Sequence, residues 1–274
     1  LLGIFIAIAA TAATSRAADA PDVSTPARGR IVILMIWDGL RPDFVTKRDT
    51  PNLYDLGREG TRFDRHHSIY PTLTMVNAAA LATGASPGVN GIVGNVMYLA
   101  PMLAGKAPAL DSKLAKPVML ESTPLLADLD GDAAFAGHLL GLDSVAQQLE
   151  REGGYVAIAG KQGPTFLFDD RVETVKDGHD SLGNPHKDYL FVTDDLAEPP
   201  RAEVGKAPAG SHEGVADSAR DVYFTRIVTE DAIPAAKRAS DAGRPSLIVL
   251  WEHNPDLTQH IAGLGTMPAL ESLS

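Results

Sequence analysis

Continuous apolar runs alternate with polar, glycine-terminated stretches along most of this chain. Residues 31–37, IVILMIW, form one such run and end at Asp38 and Gly39. An uninterrupted run of this length suits a strand covered on both faces, as strands are in a parallel sheet packed between helices. TPNLYDLGREG (50–60) follows, with Thr50 and Pro51 at a helix entrance and Gly60 at its exit, and TRF (61–63) opens another extended piece. TLTMVNAAALATG (72–84) predicts an alanine-rich helix closed by Gly84. LDSVAQQLEREGG (142–154) predicts a surface helix ending in glycines, and YVAIAGKQGPTFLF (155–168) a strand, a turn and a short apolar run. Residues 211–243 can form one or two helices before SLIVLWEHNPD (246–256), a second hydrophobic strand that delivers acids and histidines at its end. This strand–helix rhythm is that of an α/β domain.

The flanks and interruptions read differently. Residues 1–20, LLGIFIAIAATAATSRAADA, carry no charge before Arg16 and have small residues, Ala17 and Ala20, at plausible cleavage positions. This is the pattern of a signal-peptide core lacking its basic leading region. The uncharged run is shorter than the roughly 20 residues of a spanning helix, so the expectation is a periplasmic or secreted protein with no stable membrane anchor after cleavage. A buried first helix is the alternative. Residues 21–30, PDVSTPARGR, form a link, and residues 31–274 the domain, with insertions expected at about 96–140 and 170–212. YLFV (189–192) is a candidate short strand within the second.

Composition narrows the chemistry. The 274 residues contain no Cys, which excludes thiol catalysis, Cys-ligated metal and disulfides. With 24 Lys and Arg against 35 Asp and Glu, the formal net charge of −11 argues against a nucleic-acid polymer as partner. Small phosphorylated compounds remain possible partners, because bound cations locally reverse the field that a substrate feels.

Candidate site residues lie at the ends of the apolar runs. Asp38 emerges after the first, either as a cation ligand or as a turn former. Asp256 and His260 stand four residues apart, so one helical face would present an oxygen and an imidazole to the same ion; a solvated helix entrance explains the spacing equally well. His253 and Glu252 are available to enlarge that set. Thr74 precedes the alanine-rich helix and is either its N-cap or a hydroxyl nucleophile that needs a cation or base for activation. Asn77, one turn later, and Asn95, in the glycine-rich GVNGIVGN, could each orient an ester oxygen or simply cap and turn the chain. Lys161 in AGKQGP lacks the P-loop pattern and reads as a surface turn lysine.

Taken together, IWDGLRP, TPNLYDLGREGTRF, YPTLTMVNAAALATGASPGVNGIVGN and NPDLTQH resemble the type I phosphodiesterase and nucleotide pyrophosphatase family of the alkaline phosphatase superfamily. The resemblance spans about residues 30–265. It implies an alkaline-phosphatase-like three-layer α/β sandwich around a central, mostly parallel sheet. It also implies two divalent metal ions, zinc foremost. On this resemblance Asp38 is a ligand of one ion, Thr74 the nucleophile on that ion, and Asn95 an amide positioning a phosphoryl oxygen. Asp256 and His260 are ligands of the second ion. The implied reaction is threonine attack on phosphorus followed by hydrolysis of the covalent phospho-threonine, and the implied partner is a small phosphate ester or nucleotide.

The pattern has departures. Met75, Val76, Asn77 and Ala78 stand where the family often has F-P-N-H, while Asn254 and Gln259 replace an acid and a glycine of its E-P-D-x-x-G-H segment. These leave diester against monoester preference open. No later Asp-His pair or further His follows His260, so the resemblance implies a C-terminally incomplete domain, with an exposed sheet edge and with activity expected of the full-length protein. Related phosphomonoesterase or sulfatase-like chemistry is the enzymatic alternative, although the C/S-x-P-x-R signature of sulfatases is absent. A noncatalytic exported binding protein, or an inactive fragment, is the other.

Overall fold

The computed structural model describes residues 29–98, 117–121 and 139–169, the backbone of 189–193, residues 218–273, and isolated positions between 125 and 129. The leader expected at 1–20 and nearly all of the link at 21–30 lie outside these residues, as does most of both expected insertions. No helix among the described residues is long and apolar enough to cross a membrane.

Four parallel strands form the sheet in the order β1-β6-β4-β5, with β1 at Ile31–Trp37, β4 at Tyr155–Gly160, β5 at Tyr189–Thr193 and β6 at Ser246–Glu252. The chain enters every strand from the same end, so the loops after β1, β4 and β6 meet at one edge. That edge is where open α/β sheets bind their ligands. Tyr189–Thr193 extends the sheet beyond β4, although the sequence reading sets it within an excursion. A separate antiparallel pair joins β2, Val96–Met97, to β3, Val118–Met119.

Alternation along the two central strands separates two cores. Leu247, Val249 and Trp251 of β6, with Val156 and Ile158 of β4, pack against Met75, Ala78, Ala79 and Ala82 of helix α2, Thr74–Thr83, and against Phe166–Phe168. Ile248 and Leu250, with Tyr155, Ala157 and Ala159, face the opposite way onto Phe224 and Ile227 of α5, Ser218–Ile227, and onto Ala236 and Ala239 of α6, Ile233–Asp241. The small β4 residues admit the bulk of Phe224. The result is the helix–sheet–helix sandwich that the sequence predicts.

Helix boundaries follow the local signals. Helix α1, Pro51–Glu59, starts after Thr50 and ends at Gly60; α2 ends at Gly84, whose φ of 68° is left-handed. After α3, Pro87–Asn90, helix α4, Val145–Arg151, begins with a reciprocal capping box between Ser144 and Gln147. Helices α7, Asp256–Ala262, and α8, Met267–Glu271, follow β6. TRF forms no strand.

The expectation that residues 31–37 form a strand covered on both faces fails, although β4 and β6 are buried throughout. Val32, Ile33 and Met35 remain 55%, 42% and 42% exposed. Among the described residues, β1 pairs only with β6 and no element covers its outer edge. An open groove lined by Met35, Trp37, Leu40, Leu53 and Leu56 runs beside it.

Candidate active site

Strand β1 hands directly into the site. Its last residue, Trp37, pairs with Glu252, and the next amide, Asp38 N–H, donates to the Glu252 carbonyl at 3.3 Å. Gly39 then turns the chain with φ +70°. A side chain there would bring its Cβ within 2.8 Å of the Asp256 Cα, so glycine permits the β1 loop to touch the start of α7. The Asp256 N–H donates to the Asp38 carbonyl at 2.9 Å, and Gln259 Nε2 to the Gly39 carbonyl at 2.9 Å. Two acids 218 positions apart in the chain are thereby fixed side by side.

Their carboxylates share a cation from β4. Lys161 Nζ lies 2.8 Å from Asp38 Oδ2, 3.6 Å from Asp256 Oδ2 and 3.6 Å from Glu121 Oε2. The reading of Lys161 as a surface turn residue is therefore corrected: its side chain is only 14% exposed. Lys161 follows the strand YVAIAG directly, as Asp38 follows IVILMIW, and that shared position was the available signal. Burial opposes the ammonium, but the charges of Asp38 and Glu121 outweigh it and raise the lysine above its ordinary range. Trp251 Nε1 also donates to Asp38 Oδ2, at 3.2 Å. Burial and then the neighbouring charge of Asp38 raise the Asp256 carboxyl.

Glu121 links this cluster to α2. Its Oε1 accepts from Asn95 Nδ2 at 2.6 Å, and Asn95 Oδ1 accepts the Met75 N–H at 2.9 Å. Asn95 thus caps α2 from 20 residues away, while the N-cap position itself is held by Leu73. Thr74 is the first helical residue, half-buried, and among the described residues its hydroxyl makes no hydrogen bond. Its reading as the N-cap is not what the structure shows. Asn77 serves locally, accepting from Ile69 N–H at 2.8 Å and donating to the Leu73 carbonyl at 3.0 Å. No periodic signal in the sequence marks Glu121.

Asp256 and His260 lie on one face of α7, with His260 Nε2 3.5 Å from Asp256 Oδ1 and the imidazole 76% exposed. The neighbouring Glu252 and His253 turn elsewhere. Glu252 Oε1 accepts from Thr225 Oγ1 at 2.8 Å, and His253 Nδ1 meets Asp221 Oδ1 at 2.8 Å. Among the described residues, no three acids or histidines are gathered as a ready metal-binding group. The site instead offers the Asp38 carboxylate, linked through Lys161, Glu121 and Asn95 to the first turn of α2 that carries Thr74, and a carboxylate–imidazole pair.

The model of the type I phosphodiesterase/nucleotide pyrophosphatase family matches residues 32–272. The chain belongs to this family. A bis(5'-adenosyl)-triphosphatase of Xenopus laevis is 35% identical over 80 residues, covering 29% of this chain and 17% of that protein. The phosphonoacetate hydrolase of Sinorhizobium meliloti, solved in complex with phosphonoacetate, superposes with a TM-score of 0.54 at 15% identity, over 90% of this chain and 52% of its own. That likeness concerns the fold alone. The chain spans about half the length of this hydrolase.

Proposed function

We propose that this chain carries much of the active site of a metal-dependent hydrolase that cleaves phosphodiester or nucleotide pyrophosphate bonds, with Thr74 as nucleophile. The convergence of Asp38 and Asp256 at the loop ends of β1 and β6, around one largely buried positive charge, is the observation that carries this reading. With Glu121, the carboxylates there outnumber the single ammonium, which favours further positive charge at this edge of the sheet.

The donor types fit divalent metal. Asp38 and Thr74 supply oxygen donors for one ion, and Asp256 and His260 supply the oxygen and nitrogen pair suited to zinc for a second. When bound, two such ions supply Lewis-acid stabilisation of the attacking and leaving oxygens. The chain's own contribution is orientation. Thr74 Oγ1 stands at the N-terminus of a ten-residue helix, where partial positive charge favours an anionic ester. Asn95 holds the first turn of that helix through Met75, and its remaining Nδ2 proton is available for a phosphoryl oxygen. Attack by Thr74 Oγ1 on phosphorus expels the leaving alcohol or phosphate, which takes up the hydroxyl proton, and leaves Thr74 esterified to the phosphoryl group with its remaining substituent. Water then cleaves the new P–O bond and restores the hydroxyl.

By its name the Xenopus relative acts on a dinucleoside triphosphate, which makes this class of compound the first substrate to test. The leader pattern of residues 1–20 supports export to the periplasm or beyond. The test is hydrolysis of a dinucleoside triphosphate, a phosphodiester and a phosphomonoester by purified full-length protein, with and without zinc. Zinc-dependent cleavage of the diester or the dinucleoside triphosphate that disappears in Thr74→Ala is the expected result; inactivity of the zinc-loaded protein towards both of these overturns the proposal.

A further inference from the structure

A second polar network lies behind the loop that presents Asp256. Its centre is Asp221, in the first turn of α5 and 32 and 33 residues from its partners His253 and Asn254 in sequence. Asp221 Oδ1 accepts the His253 N–H at 2.8 Å and faces His253 Nδ1 at 2.8 Å. Asp221 Oδ2 accepts the Asn254 N–H at 3.2 Å and Asn254 Nδ2 at 2.7 Å. A carboxylate is acceptor-only, so three N–H donors, and the His253 ring in the tautomer that carries its proton on Nδ1, form a matched set around one ionised group. Burial alone would raise the Asp221 carboxyl, but its hydrogen bonds with His253 outweigh this and hold it below the ordinary range. Phe224, one turn further along α5, stacks on the His253 ring at 6.0 Å.

The network continues into the site. Asn254 Oδ1 accepts from Thr258 Oγ1 at 2.8 Å, tying the loop to α7, the helix that carries Asp256 and His260. On its other side the same loop is tied to β1, through the Asp256 N–H on the Asp38 carbonyl and Gln259 on Gly39. The start of α7 is thus gripped from two directions. The Asp38 side sets where Asp256 arrives, and the Asp221 side prevents the loop from retreating.

We propose that Asp221 is a positioning residue, which acts through His253 and Asn254 to hold Asp256 at the cation site. The catalytic consequence rests on the metal-dependent reading above; the positioning itself does not. Replacement by Asn puts an N–H₂ group where a carboxylate oxygen receives donors, and replacement by Ala removes all four acceptor contacts.

The test compares full-length wild-type protein with Asp221→Asn and Asp221→Ala. Hydrogen–deuterium exchange of the Asp256 amide is the decisive readout, because Asp221 does not touch that amide. Exchange is expected to be at least tenfold faster in Asp221→Ala, with a smaller change in Asp221→Asn, while the amides of β4 and β6 keep their protection. Zinc titration is expected to show about a 10–100-fold weaker affinity in Asp221→Ala. Unchanged Asp256 exchange overturns the proposal, and so does a parallel loss of protection throughout the sheet, which indicates a general folding role. If wild-type protein binds no zinc, the metal-dependent reading fails, and the exchange of the Asp256 amide alone decides the positioning role.

Discussion

The Lys161 ammonium lies 2.8 Å from Asp38 Oδ2, joining two residues that each follow directly on a buried or partly buried strand of the same parallel sheet. Glu121 and Asp256 complete its surroundings at 3.6 Å. Removing the lysine leaves three carboxylates facing one another with little solvent. Breaking a buried pair in this way costs about 3–5 kcal/mol. Lys161→Met is therefore expected to lower the unfolding free energy by that amount, measured by denaturant titration in the presence of a chelator; a loss below about 1 kcal/mol would show that the cluster does not depend on this charge.

Gly39→Ala tests the approach of β1 to α7. The added methyl would meet the Asp256 Cα at 2.8 Å and Cβ at 2.9 Å, at a backbone φ of +70°. Overpacking of this kind costs about 1–3 kcal/mol, and the left-handed backbone adds about 1–2 kcal/mol. The expected outcome is a lower urea midpoint together with weaker zinc binding, since the clash displaces Asp256 itself.

Much of this arrangement was legible in the sequence, for a physical reason. Asp38 and Asp256 follow apolar runs whose length and composition suit strands, and Gly39 stands where the first of them ends. The i, i+4 spacing of Asp256 and His260 became one face of α7. Lys161, Glu121 and Asp221 were not legible, because their importance comes from contacts between distant segments. Glu121 acts with Asn95 26 positions away, and Asp221 with His253 32 positions away. The exposure of β1 was hidden for the complementary reason: an apolar strand has the same pattern whether or not something covers it.

Asn95→Ala should loosen the start of α2. The Met75 N–H loses its acceptor and Glu121 loses a donor. Loss of a helix cap costs about 0.5–2 kcal/mol. A modest fall in thermal stability is expected together with a larger fall in hydrolysis, because the turn that loosens carries Thr74 and the amide proposed to hold a phosphoryl oxygen is lost; equal activity per folded molecule would count against both roles.

Glu252 gives the protein a pH dependence that is separate from catalysis. Burial, reinforced by the charge of Asp221, pushes its carboxyl up to about 9 from an ordinary 4.5, and its Oε2 has no hydrogen-bond partner among the described residues. The folded state therefore favours the protonated acid. This contribution to stability is complete below pH 4.5 and is lost progressively as pH rises towards 9. Unfolding free energies measured across that window should decline with pH in the wild-type protein and decline less steeply in Glu252→Gln.

The most direct test of the proposed chemistry is to quench the zinc-loaded full-length protein during turnover of a phosphodiester and to analyse its peptides by mass spectrometry. The expected result is a phosphoryl adduct on the peptide containing Thr74, absent in Thr74→Ala along with the activity. Sustained turnover with Thr74 unmodified, and with Thr74→Ala still active, would contradict a threonine nucleophile.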